Sequence, residues 1–284
     1  MLDIAKLGAR YGPDAALVDP GRALAYATAT ADDNPAYTSD GAVVPPLFAV
    51  VPTWDTTMAA VHDVVPAEAM GMLVHLDQDM RFLWPLTGGL RLSTDAVVAG
   101  IRARRSGAQL LVVVTSADEE GRVVLIQHAT MFIRGLGGGA SGGDDPPDHS
   151  LPPSARQAPM VTRTLHLDDD ITFRYAEASG DTNAIHVDDG FARRMGLPGI
   201  IVHGMCTMAL CGVAVVDEVA GGDPTLLRRL AVRFSRPVMP GADLAVSLFD
   251  AGRSDDVACV GFEARADGQV VVKDGWAEIG PAAG

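Results

Sequence analysis

The chain repeats itself, and that fact limits what it can fold into. Tyr26–Tyr37 reads YATATADDNPAY and Tyr175–His186 reads YAEASGDTNAIH, with Tyr, Ala, Asp and Asn recurring at one offset of 149 positions. Arg81-Phe82-Leu83-Trp84-Pro85 and Arg233-Phe234-Ser235-Arg236-Pro237 form a second pair at an offset of 152, which Gly89 and Gly241 keep, as do Pro46 and Pro198. A small insertion between the motifs accounts for the change. Several matches in one order are the mark of a duplicated structural unit. Between the copies lies Gly135 to Pro153, GLGGGASGGDDPPDHSLPP, made of glycine, acid and proline with almost nothing to bury. Such composition predicts a flexible linker. The expected organisation is an N-terminal repeat over 1–134, a linker over 135–158 and a C-terminal repeat over 159–284. With 284 residues, 48% of them hydrophobic, the chain can bury a sizeable core.

Each copy reads alike at the level of elements. A polar, alanine-rich helix leads into the Asp-x-Asn motif, a loop and a more apolar helix follow, and then come β-rich runs. These runs are Met72–Phe82, Leu90–Ile101, Leu110–Ser116 and Val123–Phe132 in the first half, and Leu230–Pro237, Leu244–Phe249, Val257–Ala264 and Val270–Ile279 in the second. Turn signals such as Glu120-Gly121 and Asp267-Gly268 separate them, which predicts antiparallel hairpins. His203–Ala220 is apolar or small nearly all round until Asp217, so it should form a buried helix, with Gly221-Gly222 as its stop. The fold class expected is α+β: a curved antiparallel sheet around a central helix, twice over, which is the double hot-dog arrangement.

Other features narrow the class by exclusion. The formal net charge of −14 argues against general nucleic-acid binding, which depends on Lys and Arg facing phosphates. No uncharged apolar run reaches the 18 or so residues of a membrane span. The N-terminal stretch lacks the apolar core of a signal peptide. Cys206, Cys211 and Cys259 are odd in number and form no CxxC pair, so neither a disulfide framework nor a zinc ribbon is expected, and a cytoplasmic setting follows.

The chemistry concentrates between Phe173 and Leu210. In Ser179-Gly180-Asp181-Thr182-Asn183-Ala184-Ile185-His186 a carboxylate and an imidazole stand five residues apart, around turn-forming Gly and Asn. A carboxylate and an imidazole that share a water make a general acid/base set. The same residues suit plainer roles, because Asp and Asn near helix ends are often caps. A metal pair is a weaker reading, since no HxxxH, HxH or cysteine cluster supplies the remaining ligands. Further on, Ile200-Ile201-Val202-His203-Gly204 opens into the apolar helix. The Gly204 amide could face a developing negative charge at a helix N-terminus. Gly204 equally suits tight packing, and His203 reads as a core residue.

The segment from Tyr175 through Leu210 closely resembles the hydratase-2 motif of (R)-specific enoyl-CoA hydratases and MaoC-like dehydratases. The resemblance rests on Ser-Gly-Asp-x-Asn, the His five residues after the Asp, Asp188, Phe191-Ala192, Gly196-Leu197-Pro198 and His203-Gly204-Met205. Arg233-Phe234-x-x-Pro237-Val238-x-Pro240-Gly241 extends it, and Ala184 stands where the family often has Pro. The N-terminal half is similar more weakly, as in two-repeat members. The resemblance implies reversible hydration of trans-2-enoyl thioesters to (3R)-3-hydroxyacyl thioesters. Asp181 and His186 would activate one water, the Gly204 amide would hold the thioester oxygen, and Asn183 would shape the loop. No metal or redox cofactor is implied. CoA or the phosphopantetheine of a carrier protein enters as part of the substrate, and a homodimer is left open. Arg193, Arg194, Arg228 and Arg229 are candidates to hold its phosphates. Leu47–Val51, Trp54 and Ala59–Val65 are candidates to line an acyl pocket, although core packing suits most of them. The N-terminal copy lacks the pair, with Tyr37 in the place of His186 and Val51-Pro52 in the place of His203-Gly204, so one active site per chain is expected. A hot-dog thioesterase and a non-catalytic acyl-thioester-binding subunit are the competing readings.

Overall fold

Hairpins build most of the protein. The computed structural model describes residues 1–39, 42–156 and 158–281. In the first half, strand β1 (Arg10–Leu17) leads into helices α1 (Pro20–Ala29) and α2 (Trp54–Val64). Strands β2 (Leu73–Phe82), β3 (Arg91–Arg104), β4 (Gly107–Ala117) and β5 (Val123–Arg134) follow. After a two-residue strand β6 (Gly142–Gly143), the second half repeats the plan. It runs β7 (Val161–His166), α3 (Ile171–Ser179), α4 (Ala184–Val187), α5 (Asp189–Arg194) and α6 (Gly204–Val219), then β8 (Leu227–Phe234), β9 (Asp243–Ser254), β10 (Val257–Ala266) and β11 (Gln269–Ile279). The eight anticipated strands are all present. The edge strands β1 and β7 are additions. β1 is exposed along most of its length and so carries little apolar alternation to read. At the β10–β11 turn both Asp267 and Gly268 have positive φ, 50° and 72°, the backbone that matches a tight hairpin to strand twist.

The two sheets are one. The strand order is β1-β3-β4-β5-β2-β8-β11-β10-β9-β7, so each half contributes the same five-strand order and the halves join through β2 and β8. In that antiparallel seam Asp79 faces Ala231, its own counterpart at the 152-residue offset. The duplicated copies are therefore related by an approximate two-fold axis through the seam. Tyr26 and Tyr175, counterparts at the other offset, also meet, with hydroxyl oxygens 3.3 Å apart in the buried contact of α1 with α3. This is the double hot-dog fold anticipated from the sequence.

Helix α6 organises the larger core. Met205 through Val216 are all buried, and the Gly222 amide donates to the Val216 carbonyl (3.0 Å) to end the helix. Tyr26, Leu47, Phe48, Met80 and Phe82 of the N-terminal repeat belong to the same apolar cluster. Gly212 permits that approach, since a Cβ there would lie 3.1 Å from Leu47 and 3.3 Å from Leu230. A separate cluster holds Ala60, Val61, Val64 and Val65 against β3, β4 and β5. The segments considered for an acyl pocket thus largely serve as core.

The connecting segment is more than a tether. Gly142 and Gly143 pair with β3, and Arg102 donates to the Gly143 carbonyl (2.9 Å) and to Asp145 (2.8 Å). Leu151 is buried over Gly261, where a Cβ would lie 2.0 Å from the Leu151 side chain. His149 is buried between the repeats, its Nε2 3.0 Å from the Asp77 carboxylate and its Nδ1 2.5 Å from the Asp274 carbonyl. Both partners only accept, so the ring is an imidazolium. Glycines that let backbones touch, and one buried ion pair, hold down a segment whose composition alone reads as loose.

Candidate active site

The site begins where α3 breaks. Gly180 adopts φ 85° and its amide donates to the Ala176 carbonyl (2.9 Å), so the chain turns sharply after Ser179. The Asp181 carboxylate then accepts from the Asn183 amide (3.1 Å), and the Asn183 side chain accepts from the Ile185 amide (3.3 Å). These two Asx turns deliver the short helix α4, which places His186 in a buried position. Asn183 itself is exposed and shapes the loop.

His186 has a fixed tautomer. Its Nδ1 lies 2.7 Å from the Ile201 carbonyl, which can only accept, so Nδ1 carries the hydrogen and Nε2 keeps a free lone pair. Burial pushes its pKa below the ordinary value, while the Ile201 carbonyl and the Asp181 charge pull the other way. The ring is neutral at neutral pH and available as a base. His203 stacks on it with ring centroids 3.7 Å apart and donates from Nε2 to the Asp181 carbonyl (3.0 Å). Burial, and then the neighbouring His186, bring the His203 pKa down to about 3, so this ring stays neutral. It pins the Asp181 backbone to the start of α6, a role that the core reading of His203 did not contain.

The N-terminus of α6 closes the site. His203 precedes the helix in extended conformation and makes no side-chain cap, so the first amides, Gly204 among them, have no intrahelical partner. A Cβ on Gly204 would lie 3.4 Å from the Phe234 ring, so that ring covers the helix start. Donor atoms of Asp181, His186 and His203 all lie within 4.8 Å of one another. The two ring planes are only 25° apart. Their in-plane lone pairs therefore lie in two stacked planes, which does not suit convergence on one ion at the ~2.0–2.1 Å that zinc requires. The arrangement suits a water shared between a carboxylate and an imidazole better than a cation.

The arginines divide. Arg193 and Arg194 are exposed on α5, just after the Asp/His loop. Arg193 pairs with Asp189 (2.7 Å), and Arg194 lies over the Phe191 ring. Arg228 and Arg229 are elsewhere. They begin β8, whereas Phe234, beside Gly204, ends it. At ~3.3 Å per residue, Arg229 is about 17 Å along the strand from Phe234. Arg229 forks onto the buried Asp79 (2.6 Å) and also pairs with Glu278 (3.1 Å), while Arg228 donates to the Leu83 carbonyl (2.6 Å). Both brace the seam between repeats, away from the site whose substrate phosphates the sequence offers them as candidates to hold. The sequence showed two arginines near the Arg-Phe motif but not which end of the strand faces the site.

The N-terminal counterpart has the same turn and a different outcome. The Asp32 carboxylate accepts from the Asn34 amide (3.3 Å), and the Asn34 side chain accepts from the Ala36 amide (3.0 Å). Tyr37 donates its hydroxyl to Asp32 (3.0 Å). Burial raises the Asp32 pKa to about 6. The cavity beside the pair, lined by Tyr26, Leu47 and Gly212 among others, measures about 10 Å³, room for a single water at most.

Comparison with known proteins identifies the family. Residues 152–265 match the MaoC like domain and residues 30–135 match the MFE-2 hydratase 2 N-terminal domain. The chain is 33% identical over 216 residues to 3-hydroxyacyl-thioester dehydratase Y of Mycobacterium tuberculosis, covering 72% of each protein. It is 32% identical over 183 residues to peroxisomal multifunctional enzyme type 2 of Drosophila melanogaster, covering 63% of this chain and 30% of that enzyme. In fold it resembles a MaoC-like dehydratase from Phytophthora capsici, with a TM-score of 0.86 at 23% identity over 99% of this chain and 100% of that one. The chain belongs to the family of MaoC-like dehydratases and type 2 enoyl-CoA hydratases, in its two-repeat form.

Proposed function

We propose that the protein catalyses the reversible hydration of trans-2-enoyl thioesters to (3R)-3-hydroxyacyl thioesters, at one site in its C-terminal repeat. The observation that carries this reading is an open carboxylate and a neutral imidazole facing one another at the N-terminus of a buried helix. Water held by Asp181 and His186 Nε2 attacks C3 of the enoyl group. The C2–C3 π pair moves toward the thioester oxygen, where the Gly204 amide and the positive end of α6 meet the developing charge. The pair takes one proton from the water as its oxygen bonds to C3. It returns a proton to C2 on the same face, and the electron pair returns from oxygen to carbon. The named activities of relatives, a 3-hydroxyacyl-thioester dehydratase and enoyl-CoA hydratases 2, support the same reaction class.

Within this reading Arg193 and Arg194 hold the phosphates of the carrier arm, and no metal takes part. The three free thiols are consistent with a cytoplasmic setting, and no described helix is long and apolar enough to cross a membrane. The test is incubation with crotonyl-CoA, following enoyl absorbance and free thiol together. Loss of absorbance without thiol release, giving the (3R) product and surviving exhaustive chelation, is expected. Stoichiometric thiol release would make the protein a thioesterase, and binding without turnover would make it a non-catalytic subunit.

A further inference from the structure

One residue of the N-terminal repeat reaches the site, and a buried hydrogen-bonded chain fixes its chemistry. His75 on β2 packs its ring against Phe234 (centroids 5.3 Å apart), the ring that covers Gly204. The pairing of β2 with β5 shifts register between His75 and Asp77. A bulge of this kind re-aims side chains, and such bulges are common beside active sites. His75 Nε2 lies 3.0 Å from Gln78 Oε1, Gln78 Nε2 donates to Gln127 Oε1 (3.2 Å), and Gln127 Nε2 donates to Thr53 Oγ1 (2.9 Å). The far end sets the direction. Thr53 gives its hydroxyl hydrogen to the Ala49 or Val50 carbonyl (3.0 and 3.1 Å), so it can only accept from Gln127. Each amide is then oriented in turn, and His75 must carry its hydrogen on Nε2. Burial lowers the pKa of His75, against the pull of Gln78, Asp77 and Asp181, so the ring is neutral. Nδ1 is left as a hydrogen-bond acceptor on a half-buried ring that reaches Gly204 through Phe234.

We propose that His75 is a substrate-binding residue whose Nδ1 accepts a hydrogen bond from an amide N–H of the pantetheine arm. The inference rests on the hydratase reading. A 2-enoyl chain has no hydrogen-bond donor, and the hydroxyl of the hydrated product lies at Asp181 and His186. The arm is the part of such a thioester that brings N–H groups past the carbonyl held at Gly204. The N-terminal repeat would thus complete the site by reading the carrier and not by doing chemistry.

Two measurements test this. In ¹⁵N-histidine spectra of the intact protein, the signal missing from His75→Asn should show the Nε2–H tautomer. Gln127→Leu, which cuts the chain, should mix the tautomers. An Nδ1–H tautomer in the wild type would overturn the proposal whatever the enzyme's activity. In kinetics, crotonyl-CoA is compared with a crotonyl thioester of a simple alkyl thiol that has no amide. His75→Phe should shrink the preference for the CoA substrate about three- to tenfold, mainly through KM, which is the worth of one neutral hydrogen bond. His75→Asn, which offers an acceptor oxygen near the Nδ1 position, should restore much of it. Equal losses on both substrates would overturn the assignment. Should the wild type hydrate neither substrate, the hydratase reading fails, while the tautomer and the affinity for CoA, measured by calorimetry with and without His75→Phe, still decide the inference.

Discussion

The loops Asp32–Tyr37 and Asp181–His186 fold the same way and do different things. Both place an aspartate at a sharp exit from a helix, both use its carboxylate to hold the amide two residues on, and both follow with an asparagine that does the same. The difference is the residue five places after the aspartate. Tyr37 turns its hydroxyl onto Asp32 and closes the carboxylate off. His186 turns away to the Ile201 carbonyl and leaves its other nitrogen free toward Asp181. The next difference is at the neighbouring helix, where Pro52 has no amide hydrogen to match that of Gly204. The turn is thus a structural module that both repeats need. On the proposed mechanism, two positions separate a repeat that does chemistry from one that does not.

The largest break of this contrast comes from the pair itself. Asp181→Asn and His186→Ala should each reduce hydration about 100- to 10,000-fold, the usual worth of a positioned acid or base. Circular dichroism should be unchanged, because Asn still accepts from the Asn183 amide. Turnover near wild type in either variant would remove the pair from the mechanism.

Next in size is Gly204→Pro, which gives the C-terminal repeat the residue of the N-terminal one. Proline suits the first helical position, and His203 at φ −58° and ψ 138° already has the extended backbone that a following proline demands. A loss of about 100- to 1,000-fold in kcat with the fold retained is expected from removing an oxyanion donor. Gly204→Ala keeps the amide, meets Phe234 at ordinary contact distance, and should lose far less. Equal rates in the Pro and Ala variants would show that the amide is not used.

How much of this contrast could be read without coordinates depends on where each interaction lies along the chain. The turn, the pair and the glycine fall within 24 residues, and local rules for turns and helix ends reach that far. The strand runs and the buried helix were legible because their apolar periodicity is strong. His75 was not, because it meets Phe234 only through the β2–β8 seam, and one histidine in a strand carries no pattern. His149 was hidden in a segment whose glycines and prolines outweigh one buried ion pair. Arg228 and Arg229 read as neighbours of the site because spacing gives closeness in sequence, whereas their partners Leu83 and Asp79 come from the other repeat.

A smaller effect concerns pH. On the proposed mechanism hydration needs His186 neutral, so kcat/KM should fall as pH drops through its pKa, which burial holds below the usual value of 6.5. The acid limb should therefore lie below pH 6.5. In Asp181→Asn the residual activity should show that limb moved lower still, since the Asp181 charge is one of the influences that raise it. His203, near 3, should add no limb above that. A limb above pH 7 would assign the base to another group.

The smallest effect on activity belongs to Asp32→Asn, and its sign on stability runs opposite to intuition. Asp32 is raised from 3.8 to about 6, chiefly by burial, with Asp217 and Asp33 adding to the rise and Tyr37 and Asn34 opposing it. A raised carboxyl pKa means that the fold prefers the protonated form. The stability this group contributes is full below 3.8 and is lost as pH rises through about 6. At pH 8 the charged carboxylate is therefore a burden, at most about 3 kcal/mol for a shift of roughly two units. Asparagine removes the charge; its carbonyl oxygen can still accept from the Asn34 amide, and its NH2, in the place of Oδ2, can donate to the Tyr37 hydroxyl. Urea denaturation should find Asp32→Asn about 1–3 kcal/mol more stable than wild type at pH 8, with the gain fading as pH falls below 6. Hydration rates should stay within about twofold, because the general acid/base pair is elsewhere. No gain at pH 8 would mean that Asp32 is better solvated than its surroundings suggest. A catalytic loss matching that of Asp181→Asn would make the N-terminal loop a second working site and dissolve the contrast between the repeats.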